Sequence, residues 1–531
     1  MNISQMLSAN AVNYPDDTAL VELTPGKKLR KEISWAKFDE LVNRLANALL
    51  ERGIGKGDKV VHLMTNSINW LVAYFGIIRT GAWAVPLNFR FTSRDIKYCA
   101  DIAEARTMIL GEEFTDRVQA IRPELTTIEE YIFAGNSQPE NMILFEDILS
   151  KASLTPISIE LDSSDGCGLY FTSGTTGTPK PILLTHKNME SAAIVEQKHH
   201  HQSRNDNFIL IPPLYHTGAK MHWLGSLLVG GRATLLTEIS PQYIFEAIDK
   251  ERGTILWLLV PWAQDILEAL DRGELDRNKY NLSCLRLMHI GAQPVPPSLI
   301  KHWKEYFPDV KYDTNYGLSE SSGPGCVHLG IENEDKVGAI GKAGYGWETR
   351  IVDEQGNDVA QGEVGELLVK GDGVMKEYYK NPAKTAQTIR DGWLYTGDMV
   401  REDKDRFIYI VDRKKDVIIS GGENIYPVEV EEIIQSHPKV HDVGVIGLPD
   451  ERLGEIAAAV IFVKTGETLT KEEVKHFCEQ HLPRFKRPRR IIFDEVPRNP
   501  TGKIEKPKLR QKYAGVKDSS EKPVVQNYAG F

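Results

Sequence analysis

Apolar residues after Trp35 recur at the three- and four-residue spacing of one face of an amphipathic helix. This face comprises Phe38, Leu41, Val42, Leu45, Leu49 and Leu50. Glycines at positions 53, 55 and 57 follow, and glycine is typical of the residues just beyond the end of a helix. The pattern therefore predicts a helix over residues 35–53.

Short apolar runs and helical patterns then alternate along the chain. The runs at 59–64 and 82–87 are rich in β-branched and aromatic residues, as expected of buried strands, and a helical pattern over 70–79 separates them. The same alternation returns at 207–236 and 255–290. Because alternating strands and helices indicate an α/β class, we expect a large N-terminal domain of doubly wound sheets.

The pattern changes after Lys342. Short apolar runs at 350–352 and 364–369 are separated by turn-forming residues at 354–357. This arrangement predicts a β-rich subdomain over about 342–411 within the N-terminal domain.

Beyond Asp412, helix and strand patterns alternate over a stretch long enough for a separate domain. The predicted elements are a helix at 428–436, strands at 443–447 and 456–463, a helix at 471–481 and a strand at 490–493. We therefore expect a large domain at 1–414, a small, mobile α+β domain at 415–515, and a polar tail at 516–531.

Composition narrows the classes of function. The 531 residues are 41% hydrophobic and 26% charged, which fits a globular protein and excludes a wholly disordered one. The formal net charge of −10 argues against binding to nucleic acid. A monomer and a homodimer both remain open.

Cysteine spacing and the lengths of the apolar runs bear on the compartment. The five cysteines include no C-x-x-C pair, so neither a disulfide framework nor a thiolate zinc site is indicated. The N-terminus lacks the pattern of a signal peptide, and runs such as 254–262 and 457–463 fall short of the about 20 residues that span a membrane. We expect a cytoplasmic protein without a transmembrane segment.

The segment 170–180, YFTSGTTGTPK, concentrates hydroxyl side chains, glycines and a lysine. Glycines let backbone N–H groups approach an anion, hydroxyls donate hydrogen bonds to its oxygens, and the lysine adds a positive charge. The G-x-x-x-x-G-K-[ST] spacing of a Walker A loop is absent. The segment predicts a phosphate-binding loop, and the alternative is an ordinary Ser/Thr/Gly surface loop.

A run of possible metal ligands lies at 198–201, with the sequence KHHH. Histidine is a common metal ligand, but the run by itself offers no ligand from another element of the fold. The favoured interpretation is an exposed polar run.

Together with later motifs, the phosphate loop resembles that of the adenylate-forming superfamily: acyl-CoA synthetases, adenylation domains of peptide synthetases and firefly luciferase. The resemblance covers nearly the whole chain, and the motifs occur in the family's order. They are PLYHTG at 213–218, HIGA at 289–292, YGLSE at 316–320, YTGD at 395–398, DRKKD at 412–416, SGGENIYP at 420–427 and PTGK at 500–503. One departure is Pro181, where most members carry glycine, because proline fixes φ and removes an N–H donor.

The resemblance implies a two-step reaction that uses ATP, Mg²⁺ and CoA. A carboxylate attacks the α-phosphate of ATP to give acyl-AMP and pyrophosphate, and the thiol of CoA then displaces AMP. The implied enzyme is a carboxylate–CoA ligase for a medium-chain, branched, cyclic or aromatic acid. Two alternatives are an acyl-AMP ligase that loads a carrier protein and a non-catalytic nucleotide-binding sensor, which would need a damaged motif set.

The resemblance also implies a nucleotide site. Its ATP-binding residues are Thr172, Ser173, Gly174, Thr175, Thr176, Gly177, Lys180, Gly291, Ala292, Asn315, Tyr316, Gly317, Ser319, Asp398 and Arg413. In this pattern Tyr316 offers a flat face to adenine, while Asp398 and Arg413 contact the ribose. Thr175 and Glu320 are the implied ligands of Mg²⁺, which prefers hard oxygen donors.

Catalytic roles are implied for Lys503, His216 and Glu320. Lys503 would place an ammonium between the carboxylate and the α-phosphate, where it stabilises developing charge. His216 would border the acyl pocket and the path of the thiol, and its alternative is a satisfied core histidine.

The second step is assigned to the C-terminal domain. Gly421 and Gly422 would let the pantetheine arm of CoA pass close to the backbone, unless they are simple turn glycines. Lys415 resembles the hinge residue between the two domains, and its alternative is an exposed linker lysine.

The acyl pocket is implied only by position in the family pattern. Its candidate residues are Met221, Trp223, Trp262, Gly291, Leu318 and Gly323. Because most of them are apolar, a second free carboxylate on the acid is disfavoured unless Lys220 or His222 points inward.

Overall fold

The computed structural model describes residues 1–136, 139–172, 179–292, 295–323, 325–498 and 503–514. The helices are α1 Ile3–Asn13, α2 Trp35–Glu51, α3 Ile68–Arg79, α4 Ser93–Ala103, α5 Thr115–Gln119, α6 Phe145–Lys151, α7 His186–His200, α8 Thr217–Val229, α9 Pro241–Glu251, α10 Val260–Asp271, α11 Pro297–Tyr306, α12 Pro382–Thr388, α13 Pro427–Gln435, α14 Lys471–His481 and α15 Lys506–Tyr513.

The strands belong to five sheets. In chain order they are β1 Thr18–Thr24, β2 Leu29–Ser34, β3 Lys59–Leu63, β4 Trp83–Pro86, β5 Thr107–Gly111, β6 Glu130–Ala134, β7 Ile143–Leu144, β8 Gly166–Thr172, β9 Lys180–Thr185, β10 Asn207–Leu210, β11 Arg232–Leu236, β12 Ile255–Leu259, β13 Leu287–Gly291, β14 Lys311–Asp313, β15 Asn315–Tyr316, β16 Val327–His328, β17 Lys342–Ala343, β18 Trp347–Val352, β19 Val364–Gly371, β20 Glu377–Tyr378, β21 Ile389–Arg390, β22 Trp393–Glu402, β23 Ile408–Arg413, β24 Ile418–Ser420, β25 Glu423–Ile425, β26 Val440–Asp450, β27 Gly454–Val463 and β28 Arg490–Phe493.

Two large sheets build the N-terminal domain. One has eight strands in the order β20-β9-β8-β4-β3-β5-β6-β7, and the other has seven in the order β14-β13-β12-β10-β11-β1-β2. In the second sheet β10 to β14 run parallel and are connected through helices, so their carboxyl ends meet at one edge. That edge carries several of the residues implied in nucleotide binding.

One apolar core joins the two large sheets. It includes Trp70 and Tyr74 of α3 and Trp223 of α8, all of them buried. Phe75 of α3 packs edge-on against Trp223, with ring centroids 6.2 Å apart. Side chains from both sheets are thereby removed from water together, which fixes the sheets against each other.

Two smaller antiparallel-rich sheets follow. Strands β18, β19, β21, β22 and β23 form the β-rich region, and β24 to β28 form the sheet of the small C-terminal domain. Helices α13 and α14 contribute to one apolar cluster with the C-terminal sheet, and α15 contributes to another. Residues 414–417 join the last strand of the β-rich region to the first strand of the C-terminal sheet.

The predicted fold class is confirmed, as are the elements on which it rested. The helix predicted at 35–53 is α2, and the strand predicted at 443–447 is the longer β26 Val440–Asp450, which forms a hairpin with β27. No helix in the described ranges combines the length and apolarity needed to cross a membrane. The predicted tail at 516–531 lies outside the described residues.

Candidate active site

A β-hairpin frames the predicted phosphate-binding loop. β8 ends at Thr172, β9 begins at Lys180, and these two residues face each other in the antiparallel register. The loop residues implied in ATP binding, namely Ser173, Gly174, Thr175, Thr176 and Gly177, lie outside the described residues. The hairpin therefore positions the first and last residues of the loop.

Pro181 fits this hairpin without the loss of a bond to β8. Its carbonyl accepts a hydrogen bond from the N–H of Tyr379 at 2.9 Å. Because the nitrogen and carbonyl of a strand residue point to the same side, the Pro181 nitrogen faces β20 rather than β8. β20 ends at Tyr378, which pairs with Ile182, so the Pro181 nitrogen lies beyond the last paired residue of β20.

The turn after β13 has an unusual backbone. Ala292 follows Gly291 with a φ of 71°, in the left-handed region that favours glycine. Left-handed non-glycine residues concentrate at functional sites. Ala292 also lies at the carboxyl edge of parallel strands, where open α/β sheets bind their ligands.

Tyr316 and Asp398 are buried and meet the partly exposed Arg413 in one cluster. The Tyr316 hydroxyl donates to Asp398 Oδ2, and Arg413 Nε lies 2.5 Å from Asp398 Oδ1. Burial raises the pKa of Asp398 despite the opposing effect of Arg413. Each carboxylate oxygen has two lone pairs, so Asp398 retains acceptor capacity beyond these two contacts.

Glu320 lies beside this cluster. Tyr378 donates its hydroxyl to Glu320 Oε1 at 2.7 Å, and the backbone carbonyl of Glu320 accepts from the N–H of Met375 at 2.8 Å. One carboxylate oxygen is thus held by a neutral donor, and the second is a hard oxygen donor of the kind that Mg²⁺ prefers.

The segment that carries Glu320 packs against the start of α8. The hydroxyls of Ser319 and Thr217 lie 3.1 Å apart. Gly323 has a φ of 96°, and a Cβ there would lie 2.8 Å from the Thr217 carbonyl carbon. Glycine therefore permits the close approach of the two segments. Gly317 is partly buried in the same segment, next to Tyr316.

Lys503 interacts with the same charged groups from the C-terminal domain. Although part of the residue is exposed, burial of its ammonium and the charge of Arg413 lower the pKa to about 8, against the opposing effects of Asp398 and Glu320. The interactions with Arg413, Asp398 and Glu320 associate the ammonium with the candidate nucleotide site.

His216 caps α8 and remains neutral. Its Nδ1 accepts from the N–H of Gly218 at 3.2 Å, so the neutral ring carries its proton on Nε2. Burial, followed by the positive charges of Lys503 and Lys220, lowers the pKa of His216 to about 3. The histidine thus interacts with Lys503 while serving as a helix cap.

The remaining residues assigned to the C-terminal domain lie in exposed turns. Gly421 and Gly422 have φ values of 61° and 88°, and the Gly421 N–H donates to the Leu453 carbonyl at 2.8 Å. Lys415 is exposed between β23 and β24, in a turn where the Arg413 carbonyl accepts from the N–H groups of Asp416 and Val417. Their roles remain predictions.

The acyl-pocket candidates divide into two groups. Met221 and Trp223 are fully buried members of the main core, whereas Trp262 and Leu318 are partly exposed. Lys220 is also buried, with its ammonium 4.3 Å from the Tyr170 ring centroid and 5.2 Å from that of Tyr74. Among the described residues, no carboxylate forms an ion pair with it.

The interpretation of 198–201 as an exposed run is wrong for His200. His200 is fully buried, and its two ring nitrogens lie 3.1 Å from Glu196 Oε2 and 2.8 Å from Asp313 Oδ2. α7 places Glu196 and His200 one helical turn apart on the same face. The i,i+4 spacing of a glutamate and a histidine does not distinguish this buried pair from pairs on exposed helix surfaces, so the sequence carried no local signal of the burial.

Asn315 connects the buried histidines to the candidate site. Its side-chain amide donates to Glu196 Oε1 at 3.1 Å and lies 3.0 Å from His222 Nε2. Asn315 directly precedes Tyr316 in β15. Asn315 is among the predicted ATP-binding residues, whereas its contacts with Glu196 and His222 were not predicted.

The whole chain is similar to known enzymes. Residues 7–379 match the AMP-binding enzyme family, and residues 429–503 match the AMP-binding enzyme C-terminal domain. A long-chain-fatty-acid–CoA ligase from Mycobacterium tuberculosis is 32% identical over 517 residues, which cover 97% of this chain and 99% of the relative. A 2-succinylbenzoate–CoA ligase from Bacillus cereus is 32% identical over 508 residues, which cover 95% and 97% of the two chains.

Solved structures agree with these sequence relationships. The crystal structure of an anthranilate CoA ligase in complex with anthranoyl-AMP superposes with a TM-score of 0.89 at 26% identity. The match covers 96% of this chain and 97% of that chain. The similarity therefore extends over both the N-terminal and the C-terminal domain.

Proposed function

The chain belongs to the AMP-binding enzyme family, and we propose that it joins a carboxylic acid to CoA through an acyl-adenylate. The observation that carries the proposal is the association of Lys503 with Glu320, Asp398 and Arg413. Such a cluster combines a cation for developing phosphate charge with acceptors for a ribose and an oxygen ligand for a metal ion.

In the first step the chain binds ATP and the acid and orients them. Asp398, held by Tyr316 and Arg413, accepts hydrogen bonds from the ribose hydroxyls with its remaining lone pairs. The acid's carboxylate oxygen forms a bond to the α-phosphorus as the bond to pyrophosphate breaks. The Lys503 ammonium stabilises the negative charge that develops there.

Mg²⁺ is the metal ion expected with ATP, and it neutralises charge on the phosphates when bound. Glu320 suits this ion because its carboxylate is a hard donor and Tyr378 fixes one of its oxygens. Thr175 remains a predicted second ligand.

In the second step the CoA thiol loses its proton to solvent, and its sulfur forms a bond to the acyl carbon as the bond from that carbon to the phosphate oxygen of AMP breaks. The proposed route for the pantetheine arm passes Gly421 and Gly422, which carry no side chain to obstruct it. Lys415 is the proposed hinge, because it lies at the boundary between the proposed N-terminal domain, 1–414, and the proposed C-terminal domain, 415–515.

The acid is proposed to be medium-chain, branched, cyclic or aromatic. Relatives of equal identity act on a long-chain fatty acid and on 2-succinylbenzoate, so the panel of test acids should include both chemical types. Lys220 adds a reason to include dicarboxylic acids, because its buried ammonium lies over aromatic rings without a described carboxylate partner.

The test is to identify the products formed from ATP with each acid, with and without CoA. We expect AMP, pyrophosphate and acyl-CoA in a reaction that depends on the acid. ADP and orthophosphate with an active acid would contradict the adenylate route.

Two alternatives make different predictions in the same assay. A ligase that loads a carrier protein would form acyl-AMP but would ignore free CoA, and a nucleotide sensor would bind ATP without forming pyrophosphate. Five free cysteines support the further proposal that the enzyme works in a reducing cytoplasm. Whether it is a monomer or a homodimer is to be measured by light scattering.

A further inference from the structure

A cluster of histidines and acids lies inside the N-terminal domain, apart from the groups that act on ATP. His200 ends α7, His289 lies in β13, Asp313 ends β14 and His328 ends β16. All four residues are buried. Four separate elements of the fold therefore bring possible metal ligands to one place.

The donor atoms of these residues are close together. His200 Nε2 lies 2.8 Å from Asp313 Oδ2 and 3.0 Å from His289 Nδ1, and His328 Nδ1 lies 3.9 Å from Asp313 Oδ2. The donor atoms of His200, Asp313 and His328 all lie within 4.8 Å of one another. Tetrahedral ligands of zinc lie about 3.3 Å apart when each bond is about 2.0 Å, so the measured spacings bracket that value.

His328 supplies an unpartnered atom that points to a cation. Its Nε2 lies 3.0 Å from the Gly325 carbonyl, which fixes the ring proton on Nε2 in the neutral tautomer. The Nδ1 lone pair is then buried, has no hydrogen-bond partner and faces the Asp313 carboxylate. Two lone pairs that face each other in a buried site are unfavourable unless a proton or a metal cation lies between them.

The charges of the cluster lead to the same conclusion. Glu196 and Asp313 are buried carboxylates, and His200 lies between them. A divalent cation with neutral histidines would balance the charges of both carboxylates. Buried charges in proteins are normally paired or bound to metal.

We propose that His200, Asp313 and His328 hold a buried zinc ion separate from the proposed site for ATP and Mg²⁺, and that His289, whose Nδ1 lies 3.0 Å from His200 Nε2, completes the site as a fourth ligand. Three imidazoles and one carboxylate form a donor set suited to zinc. The proposal does not rest on the proposed ligase activity, because the zinc serves to hold the fold.

The surrounding contacts match those that orient metal ligands. His200 Nδ1 lies 3.1 Å from Glu196 Oε2, a separation that suits the carboxylate partner of a metal-bound histidine, although the two atoms do not meet the geometry of a hydrogen bond. Asp313 Oδ1 accepts from the N–H groups of Thr314 and Gly330 at 2.8 and 2.9 Å, so its other oxygen is oriented toward the site. Because the ligands are fully buried, the ion binds as the chain folds.

The site would fix the strands that lead into the candidate active site. Asp313 is followed by Asn315 and Tyr316, and His328 pairs with Asn315 in the β15–β16 register. A metal bond to both residues holds this small sheet against α7 and β13. The zinc is therefore a structural ion that supports the position of Tyr316.

The direct test is to measure metal in the untagged full-length chain, produced with added zinc and purified without chelator. We expect about one zinc per chain by plasma mass spectrometry, as in closed structural sites. A folded protein that contains no zinc would overturn the proposal.

A matched pair of variants locates the ion. His328→Gln removes a proposed ligand, and we expect its zinc content to fall to near zero. His199→Gln is the control, because His199 stacks on His328 at 4.1 Å but its Nε2 already accepts from the Tyr345 N–H. Zinc retained in His328→Gln would show that the ion lies elsewhere and would contradict the proposal.

A measurement on the unaltered chain covers the case in which His328→Gln fails to fold. The chain is unfolded with a chelator and refolded either with Zn²⁺ or with the chelator. We expect a melting temperature several degrees higher with Zn²⁺ and a zinc X-ray absorption spectrum of nitrogen and oxygen ligands without sulfur. Equal melting temperatures, or sulfur ligation, would overturn the proposal.

Discussion

Lys503 and the glycine pair Gly421–Gly422 belong to the same small domain, yet their surroundings differ. The Lys503 ammonium interacts with Arg413, Asp398 and Glu320 of the candidate nucleotide site. Gly421 and Gly422 are exposed in a turn that contacts Leu453 of their own domain. If Lys503 has the proposed role, the observed orientation of the C-terminal domain is the one that adenylation needs.

This difference explains why two steps need two orientations. The pantetheine arm of CoA must reach the acyl carbon, and in our account it passes the glycines rather than Lys503. Since the observed orientation does not present both regions to the candidate site, our account predicts that the C-terminal domain rotates between the steps. The connection at 414–417 is short, so only a few backbone torsions join the two sheets, and a rotation would occur there.

The largest expected effect comes from removing the Lys503 ammonium. Lys503→Ala should lower the rate of acyl-AMP formation by about 100- to 1000-fold, because one preorganised charge at the developing phosphate is lost. Transfer of supplied acyl-AMP to CoA should remain near the wild-type rate. Equal loss of both half-reactions would mean that Lys503 does not distinguish the two orientations.

Restricting the hinge should affect the two half-reactions in the opposite way, with thioester formation slowed and adenylation retained. Lys415→Pro fixes φ near −65°, within the helical region expected for a turn in which Arg413 accepts from Asp416 and Val417. Adenylation should persist, while transfer of supplied acyl-AMP to CoA should slow by more than about tenfold. The matched control is Lys415→Ala, which leaves φ free and should behave as wild type. A folded Lys415→Pro enzyme with normal thioester formation would contradict the hinge assignment.

The rate of adenylation should depend on pH through the Lys503 ammonium, whose pKa is lowered to about 8. The charged form is present below that pH and is lost above it, so adenylation should fall about tenfold for each pH unit above 8. The Lys503→Arg enzyme should adenylate more slowly, but its rate should not change from pH 8 to 9, because arginine stays protonated. An equal fall in Lys503→Arg would assign the titration to another group.

The smallest expected effect comes from removing the hydrogen bond that Tyr378 donates to Glu320. Tyr378→Phe removes the hydroxyl that donates to Glu320 and should lower adenylation about three- to tenfold, the usual value of one such hydrogen bond. Tyr379→Phe is the control, because that neighbouring ring packs edge-on against Trp83. Titration with Mg²⁺ should show a weaker apparent affinity in Tyr378→Phe only.

Much of the fold could be predicted from the sequence because local periodicity was strong. The helix α2 and the elements of the C-terminal domain follow directly from the apolar pattern, and the resemblance to the adenylate-forming superfamily is confirmed by the family matches. The roles of the site residues and the domain boundaries stay predictions. The sequence suggested that the ring of Tyr316 offers a flat face to adenine, but the hydrogen bond from its hydroxyl to Asp398 could be seen only in the folded structure.

The buried histidine cluster shows why the rest could not be predicted. The run at 198–201 is polar, and local composition favours an exposed surface for such a run. Partners of His200 lie 89 residues away at His289 and 113 residues away at Asp313, so no local pattern reports the contact. Only the folded chain brings His200 at the end of α7 to His289 of β13 and Asp313 of β14.

The most direct test of the two-orientation account is a distance between the domains. Spin labels are placed at two exposed positions, Lys301→Cys on α11 and Lys475→Cys on α14, in a chain whose half-buried Cys284 is replaced by serine. Pulsed electron spin resonance then measures the distance between the two labels. Our account predicts one distance distribution with the acid and a non-hydrolysable ATP analogue, and a clearly different one with acyl-AMP and CoA. A single distribution under both conditions would contradict it.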